Sequence, residues 1–427
     1  MRCAVLMVLT PAMLAAADAS GGSPDRVFDG ISIDRWCEEH ARSNFLWKTG
    51  ISHAQLGHHQ RLTVRFRSQI DGMELLKREG QGELLFLTQV RDRDGAVFQN
   101  HQSISLDHVD RGANANFVVH SLDAFIVPGD YEVALGLFVP STGEHAALRR
   151  KLHVDGIPGE PFRDPWRNVP AVEFRPSKDP PEAWYLPSIE GRLNLEVETR
   201  RRIRLELLLN ESPTEETKDA ALGTFNRLDM GALIPAVKVL TQVDWKNGSV
   251  DVAMFNLERR RVSFEQKDVQ TLDWDKLQDA LKNIDPFRID VASLQNRDQD
   301  AQFFASEVRR RVGEAEDSRD YLVFIVLSGP MAFRRGEDLR PMQGIEHGNS
   351  RLFYVRYNTM IAPYWYRPNP PRGLGTADVF KIPAPPALMA DKLVRIIGPL
   401  GPRVFEVTKP EEFRKALAVM LAEISRY

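Results

Sequence analysis

Apolar and polar positions divide the chain into two textures. From residue 61, Leu62, Val64 and Phe66 alternate with polar neighbours, the period of two that a half-buried strand requires. Residues 83–90 form a second apolar run, and Asp92, Arg93, Asp94 and Gly95 supply turn chemistry before Val97 and Phe98. Residues 116–120 follow, and Pro128-Gly129-Asp130 leads into Tyr131, Val133, Leu135 and Leu137 in strict alternation. Ser141-Thr142-Gly143-Glu144 then turns the chain into residues 146–154. Short alternating strands with turns between them predict an all-β sandwich over residues 61–155. Before it, residues 20–60 are a mixed polar extension, with a short helix expected over 34–44 that places Trp36, Cys37, His40 and Ala41 on one side.

From residue 191 the pattern alternates strand and helix. Residues 192–197 and 203–209 read as a hairpin, residues 224–243 as a helix, and Asn247-Gly248 as a turn into a strand at 250–255. A strand at 261–265 follows; Trp274, Leu277, Leu281 and Ile284 then recur at helical spacing, and 301–312 is a further helix. Residues 321–327 are continuously apolar, as in a strand buried within a parallel sheet, and Ser328-Gly329-Pro330 breaks the run. Strands at 351–357 and 404–407 precede a last helix, for which Thr408 and Glu411 have capping-box spacing. Its apolar stripe is Phe413, Leu417, Met420, Leu421 and Ile424. The alternation predicts an α/β doubly wound domain over residues 191–427. Between the two domains, residues 156–190 carry Pro158, Pro161, Pro165, Pro170, Pro176, Pro180, Pro181 and Pro187, which exclude helix interiors and central strands. Trp166, Val172, Phe174, Trp184 and Tyr185 lie among them, so this linker is expected to pack along a domain surface. Two cores separated in this way predict that residues 192–427 fold alone.

A chain of 427 residues, 43% hydrophobic, is long enough for two or three domains. Its net charge of −3 gives no electrostatic footprint for nucleic acid, and the runs 200–202, 259–261 and 309–311 of arginine lack interleaved aromatic residues. Arg2, the apolar residues 4–17 and small residues around Ala17 and Ala19 predict a signal peptide at 1–19, with a buried N-terminal helix as the alternative. No later stretch is long and apolar enough to span a bilayer as a helix, so a secreted or periplasmic protein is expected. Removal of Cys3 with the signal leaves Cys37 alone, without an intramolecular disulfide. All histidines except His347 fall between residues 40 and 153, including His53, His58 and His59, but none shows a ligand spacing such as His-Glu-x-x-His. No Gly-x-Ser-x-Gly elbow or glycine-rich phosphate cradle is present.

The candidate chemistry lies where residues 203–209 end in Asn210-x-Ser212-x-Thr214, at the carboxyl end of a strand, where open α/β sheets bind ligands. This loop, the strand at 250–255, the strand at 321–327 ending in Ser328-Gly329 and the ending at 403–413 together resemble the von Willebrand factor A domain over residues 192–427. Pro-Gly-Asp-Tyr-Glu-Val-Ala-Leu, from Pro128, is similar to the penultimate strand of immunoglobulin-like modules. With an export signal, the arrangement resembles secreted bacterial A-domain proteins, particularly those abundant in acidobacteria. The resemblance implies a divalent cation held by an Asp and two hydroxyls of the first loop, a Thr from a second loop and an Asp after the central strand. Ser212 and Thr214 match the hydroxyls, whereas Asn210 and Ser328 stand at the two Asp positions, and Ser293 is the nearest residue to the second-loop Thr. Without a carboxylate the set should hold Mg²⁺ weakly at most, so no metal ligand, no catalytic residue and no cofactor is expected. Two readings of Asn210, Ser212, Thr214 and Ser328 stand side by side: side chains that satisfy a strand-to-helix turn, with Thr214 as N-cap, or a ligand face that works without metal. The expected function is a non-catalytic binding or scaffold protein for a protein or other extracellular macromolecule. The alternative is an extracytoplasmic hydrolase or carbohydrate-active protein without a recognisable motif.

Overall fold

A computed structural model describes residues 26–39, 45–109, 117–175, 189, 191–212, 230–257, 259–282, 299–316, 320–329, 341, 350–357, 391 and 393–427. The expected signal peptide, His40, Trp184, Tyr185, Thr214, Ile284 and Ser293 lie outside the described residues.

The N-terminal strands are β1 (Trp47–Ile51), β2 (Gln55–Leu56), β3 (Leu62–Asp71), β4 (Glu83–Asp92), β5 (Val97–Ser105), β6 (Phe117–Ile126), β7 (Gly129–Val139), β8 (Glu144–Val154) and β9 (Val172–Phe174). One sheet has the order β1-β3-β6-β9, with β2 also on β3, and the other β5-β4-β7-β8. All pairings are antiparallel. Val64 and Phe66 of the first sheet meet Val133 and Leu135 of the second, so the alternation in sequence becomes the inward face of a sandwich. Helix α1 (Ile33–Glu38) covers the outer face of β4 and β7: Phe28 and Ile33 pack with Leu85, Leu87 and Ala134. That second cover explains why β4 is buried on both faces. Gly136 permits the contact, because a Cβ there would lie 3.2 Å from Ile33 Cδ1. Between β3 and β4, Asp71 caps the short helix α2 (Gly72–Leu76) by accepting from Met73 N at 2.8 Å.

The C-terminal strands are β10 (Glu196–Val197), β11 (Ile203–Asn210), β12 (Asp244–Trp245), β13 (Gly248–Asn256), β14 (Arg261–Gln266), β15 (Tyr321–Ser328), β16 (Ser350–Tyr357) and β17 (Arg403–Val407). The helices are α3 (Met230–Thr241), α4 (Trp274–Lys282), α5 (Asp300–Glu316), α6 (Leu393–Ile397) and α7 (Pro410–Ile424). The main sheet has the order β14-β13-β11-β15-β16-β17 and is parallel except for β14 at one edge. Leu205, Leu207 and Leu209 face α3, α4 and α7, whereas Leu208, Phe324 and Val326 face α5 and α6. Burial on both faces accounts for the unbroken apolar run of β15.

Two local expectations are corrected. Residues 192–197 and 203–209 do not form a hairpin: β10 pairs in parallel with β12, and β11 lies between β13 and β15. The cap of α7 is shifted by one residue. Pro410, lacking an N–H, starts the helix, and Glu412 rather than Glu411 accepts from Thr408 N, Thr408 Oγ1 and Lys409 N at 2.6, 2.8 and 3.2 Å.

The proline-rich linker joins the two cores. Ile157 and Trp166 reach the sandwich core, while Phe162, Trp166 and Val169 pack on the α/β core. Arg414 of α7, 1% exposed, is covered by this segment. Its Nε donates to both carboxylate oxygens of Glu160, at 3.0 and 2.9 Å, and its guanidinium lies over Phe162 and Trp166, 5.2 and 5.3 Å from the ring centroids.

Candidate functional site

Parallel pairing of β11 with β15 brings Asn210 and Ser328 to neighbouring strand ends. From β11 the sheet continues to β13 and β14 on one side and to β15 and β16 on the other, so the crevice between the carboxyl ends of β11 and β15 is where the order of the sheet reverses, the place where such sheets bind ligands. Both residues are buried. Asn210 Nδ2 donates to Ser328 Oγ at 2.8 Å, and Ser328 Oγ donates to Gly329 O at 2.6 Å. Asn210 Oδ1 accepts from Ser212 N at 3.0 Å, an Asx turn that redirects the chain out of β11. Ser212 Oγ in turn accepts from Leu257 N at 2.6 Å, tying the loop to the residue that follows β13. The structure thus brings together Asn210, Ser212 and Ser328; Thr214 and Ser293 lie outside the described residues.

Sequence reasoning missed Tyr354, Asp391, Arg356 and Asn256 around these residues. Tyr354 of β16 donates to Asp391 Oδ2 at 2.7 Å and lies 3.4 Å from Gly329 O. Burial, reinforced by the charge of Asp391, pushes the Tyr354 phenol well above its ordinary range. Arg356 bridges Asp391 and Glu406, and Asp391 Oδ1 accepts from Leu393 N at 3.1 Å at the start of α6. Asn256 Oδ1 accepts from Arg259 N at 2.9 Å and shapes the turn between β13 and β14. Glu211 is buried beside Asn256 and Ser263, and desolvation raises its carboxyl pKa despite those neighbours and Arg261 and Arg259. Asp391 and Tyr354 carry no local motif, because they meet only through the strand order.

The donor chemistry does not fit the divalent cation that the resemblance implies. A hard cation of the Mg²⁺ type uses one or two carboxylates with water, whereas the matched positions described here offer an amide and two hydroxyls. Their oxygens are already engaged, with Asn210 Oδ1 bound by Ser212 N and Ser212 Oγ by Leu257 N. Asp391 is held by Tyr354 and Arg356, and Glu211 turns towards Asn256 and Ser263. Among the described residues, no group of three or more His, Cys, Asp and Glu is placed to hold a metal. The histidines are dispersed: His120 stacks on Phe86, His145 on Trp36, and His153 lies between Asp130 and Asp155. An open groove between linker and α7, lined by Phe162, Arg163, Asp164, Leu195, Glu196 and Leu421 among others, carries both charge signs and no nucleophile–base pair.

Neither the known protein families nor the curated proteins contain a match to the chain. Among solved structures, the X-ray structure of a Northeast Structural Genomics Consortium target is similar at 11% identity. The similarity covers 27% of this chain and 92% of that one, with a TM-score of 0.17, which carries no argument about fold or function.

Proposed function

We propose that the chain is an exported, non-catalytic binding or scaffold protein whose von Willebrand factor A-like domain recognises another protein or extracellular macromolecule without metal. The observation that carries this reading is the Asn210–Ser328 hydrogen bond across the sheet crevice, at the two positions where the resemblance expects cation-binding carboxylates. The strand order, with a single antiparallel edge strand beside β13, supports the family assignment. On the sandwich, Tyr131 at the start of β7 donates to Val127 O at 2.9 Å, a tyrosine corner that supports an immunoglobulin-like module. A non-catalytic role is supported by Ser328: its proton goes to a backbone carbonyl and its oxygen accepts from an amide, so no base activates it. The basic and apolar character of the N-terminal residues supports export.

The reading is tested by capturing proteins from an extracytoplasmic extract on the immobilised full chain, in chelator and in Mg²⁺. Hydrogen exchange of the complex is then followed. Equal capture in both buffers, with protection of amides at 210–212 and 256–257, is expected. Capture that requires Mg²⁺, or protection confined to other surfaces, would overturn it.

A further inference from the structure

The linker and β10 meet edge to edge and then part. Asn194 N donates to Pro165 O at 2.9 Å, while Asn194 Nδ2 donates to Asp164 O and Asn168 Nδ2 to Asn194 Oδ1, both at 3.4 Å. Asp164 turns the linker there from the left-handed region, at φ 49°. On the other edge Leu195 O and Val197 O accept from Asp244 N and Lys246 N, at 2.8 and 3.1 Å, so that β10 pairs with β12. Successive residues of a strand turn their backbone groups to opposite edges, so the N–H and C=O of Glu196 point away from β12, on the side where Asn194 meets the linker. Among the described residues, no backbone group pairs with them.

Beyond Pro165 this edge opens into the groove between linker and α7, about 640 Å³ in volume. Residues 194–197 all line it, whereas Asp244 and Trp245 of β12 do not. Phe162, Leu195, Val197 and Leu421 give it apolar walls, and Ala418 and Ala422, one turn apart on α7, leave it open. Its charge is split along its length. Arg163, Asp164 and Arg167 stand at the end where the linker meets Asn194, and among the described residues their side chains have no ion pair, so two cations face one carboxylate. Glu196 stands further along β10, which runs on towards Arg201 and its hydrogen bond to Tyr427 O at the end of α7. An antiparallel strand, the more stable pairing, would cross the groove from the Glu196 end to the Arg163 end. We propose that the groove is a peptide-docking site, which takes an extended segment of a partner protein by strand addition to β10, basic at its amino-terminal end and acidic at its carboxyl-terminal end.

In this arrangement the Glu196 backbone makes the strand contact, Phe162 and Leu421 receive an apolar side chain, and the arginines fix the direction of the segment. The linker wall is already held by its hydrogen bonds to Asn194, so little ordering is left to binding. The site is independent of the proposed ligand edge. The end of α7 lies beside Arg201, ahead of β11, whereas Asn210 closes that strand about 25 Å further on.

The test is fluorescence anisotropy of the full chain with two labelled hexapeptides of alternating threonine and valine, one with lysine first and glutamate last, the other with these two exchanged. Saturable binding of the first, about fivefold tighter than of the second, is expected from ion pairs at an exposed rim. Arg163→Glu/Arg167→Glu should reverse the preference, and Ala422→Trp, which fills the groove from the exposed side of α7, should abolish binding of both peptides. No saturable binding, equal binding of the two peptides, a preference unchanged by the arginine variants, or binding that survives Ala422→Trp overturns the proposal. Dimerisation in sedimentation equilibrium that Ala422→Trp removes would assign the groove to a second copy and overturn it as well. If a variant fails to fold, hydrogen exchange of the wild type with the first peptide decides the matter: protection of the Glu196 amide is expected, and protection confined to other surfaces overturns the site.

Discussion

At the residue scale, the group that matters most is the Asn210 amide at the end of β11. An ionised carboxylate can only accept hydrogen bonds, whereas Asn210 donates to Ser328 and accepts from Ser212 N, so the amide ties two neighbouring strand ends and the loop together. The residue types were legible in the sequence; the contact was not, because it depends on the parallel register of β11 with β15. The side chain of Glu211, which adjoins the same loop, points away from it and is buried beside Asn256 and Ser263. Burial raises its carboxyl pKa above the unfolded value near 4.3. A group shifted in that direction supports the fold below its unfolded pKa and loses that contribution as pH rises through the folded value. Glu211→Gln keeps the shape and removes the charge. The variant should therefore melt higher than the wild type at pH 7–8, by about 2–4 °C for each kcal/mol relieved, and the two should converge below pH about 4. A lower melting temperature for the variant at pH 8 would show that the ionised carboxylate is bound by something that stabilises it.

Among elements, long buried strands were the easiest to read and short or non-local ones the hardest. The run in β15 announces itself through composition, and the alternation in β3 and β7 through period. β1 escaped because its side chains are only partly buried and its pairing with β3 is what makes it a strand. β10 was assigned to β11 on proximity in sequence, yet residues 244–245 supply its partner. Helix α5 shows a feature that periodicity cannot give. Its Arg311, fully buried, donates to Glu206 of β11 and to Glu265 of β14, both at 2.8 Å, and so fastens the helix to the sheet. Glu206 also lies 3.0 Å from Arg204, which is paired with Asp251. Breaking a buried pair from one side leaves an uncompensated charge, at a cost of about 3–5 kcal/mol. Arg311→Ala is expected at the lower end of that range, since Arg204 remains near Glu206. The double variant Glu206→Met/Arg311→Met should recover much of the loss, because it removes both charges and fills the space. Urea unfolding of the single and double variants measures both effects, and a single variant as stable as the wild type would mean that the pair does not fasten the helix.

For the whole molecule, the two textures of the sequence correspond to an antiparallel sandwich and a mostly parallel α/β sheet, and their difference in period made that division readable. The relation between them was only half readable. Proline excluded regular structure from the linker and its aromatic residues called for a surface, but which surface depends on the folded positions of both cores. Trp166 touches both of them, and Phe162 and Val169 cover the α/β core. An α/β fragment that begins at residue 192 would lose these side chains together with Glu160, leaving Arg414 without its carboxylate partner. Burial of a large apolar side chain contributes about 1.5–3 kcal/mol. A fragment of residues 155–427 should therefore unfold at a clearly higher denaturant concentration than one of residues 192–427, in spite of its added proline-rich segment. Guanidinium unfolding of the fragments tests the argument. Equal midpoints for the two fragments would mean that the linker lies on the α/β surface without supporting it.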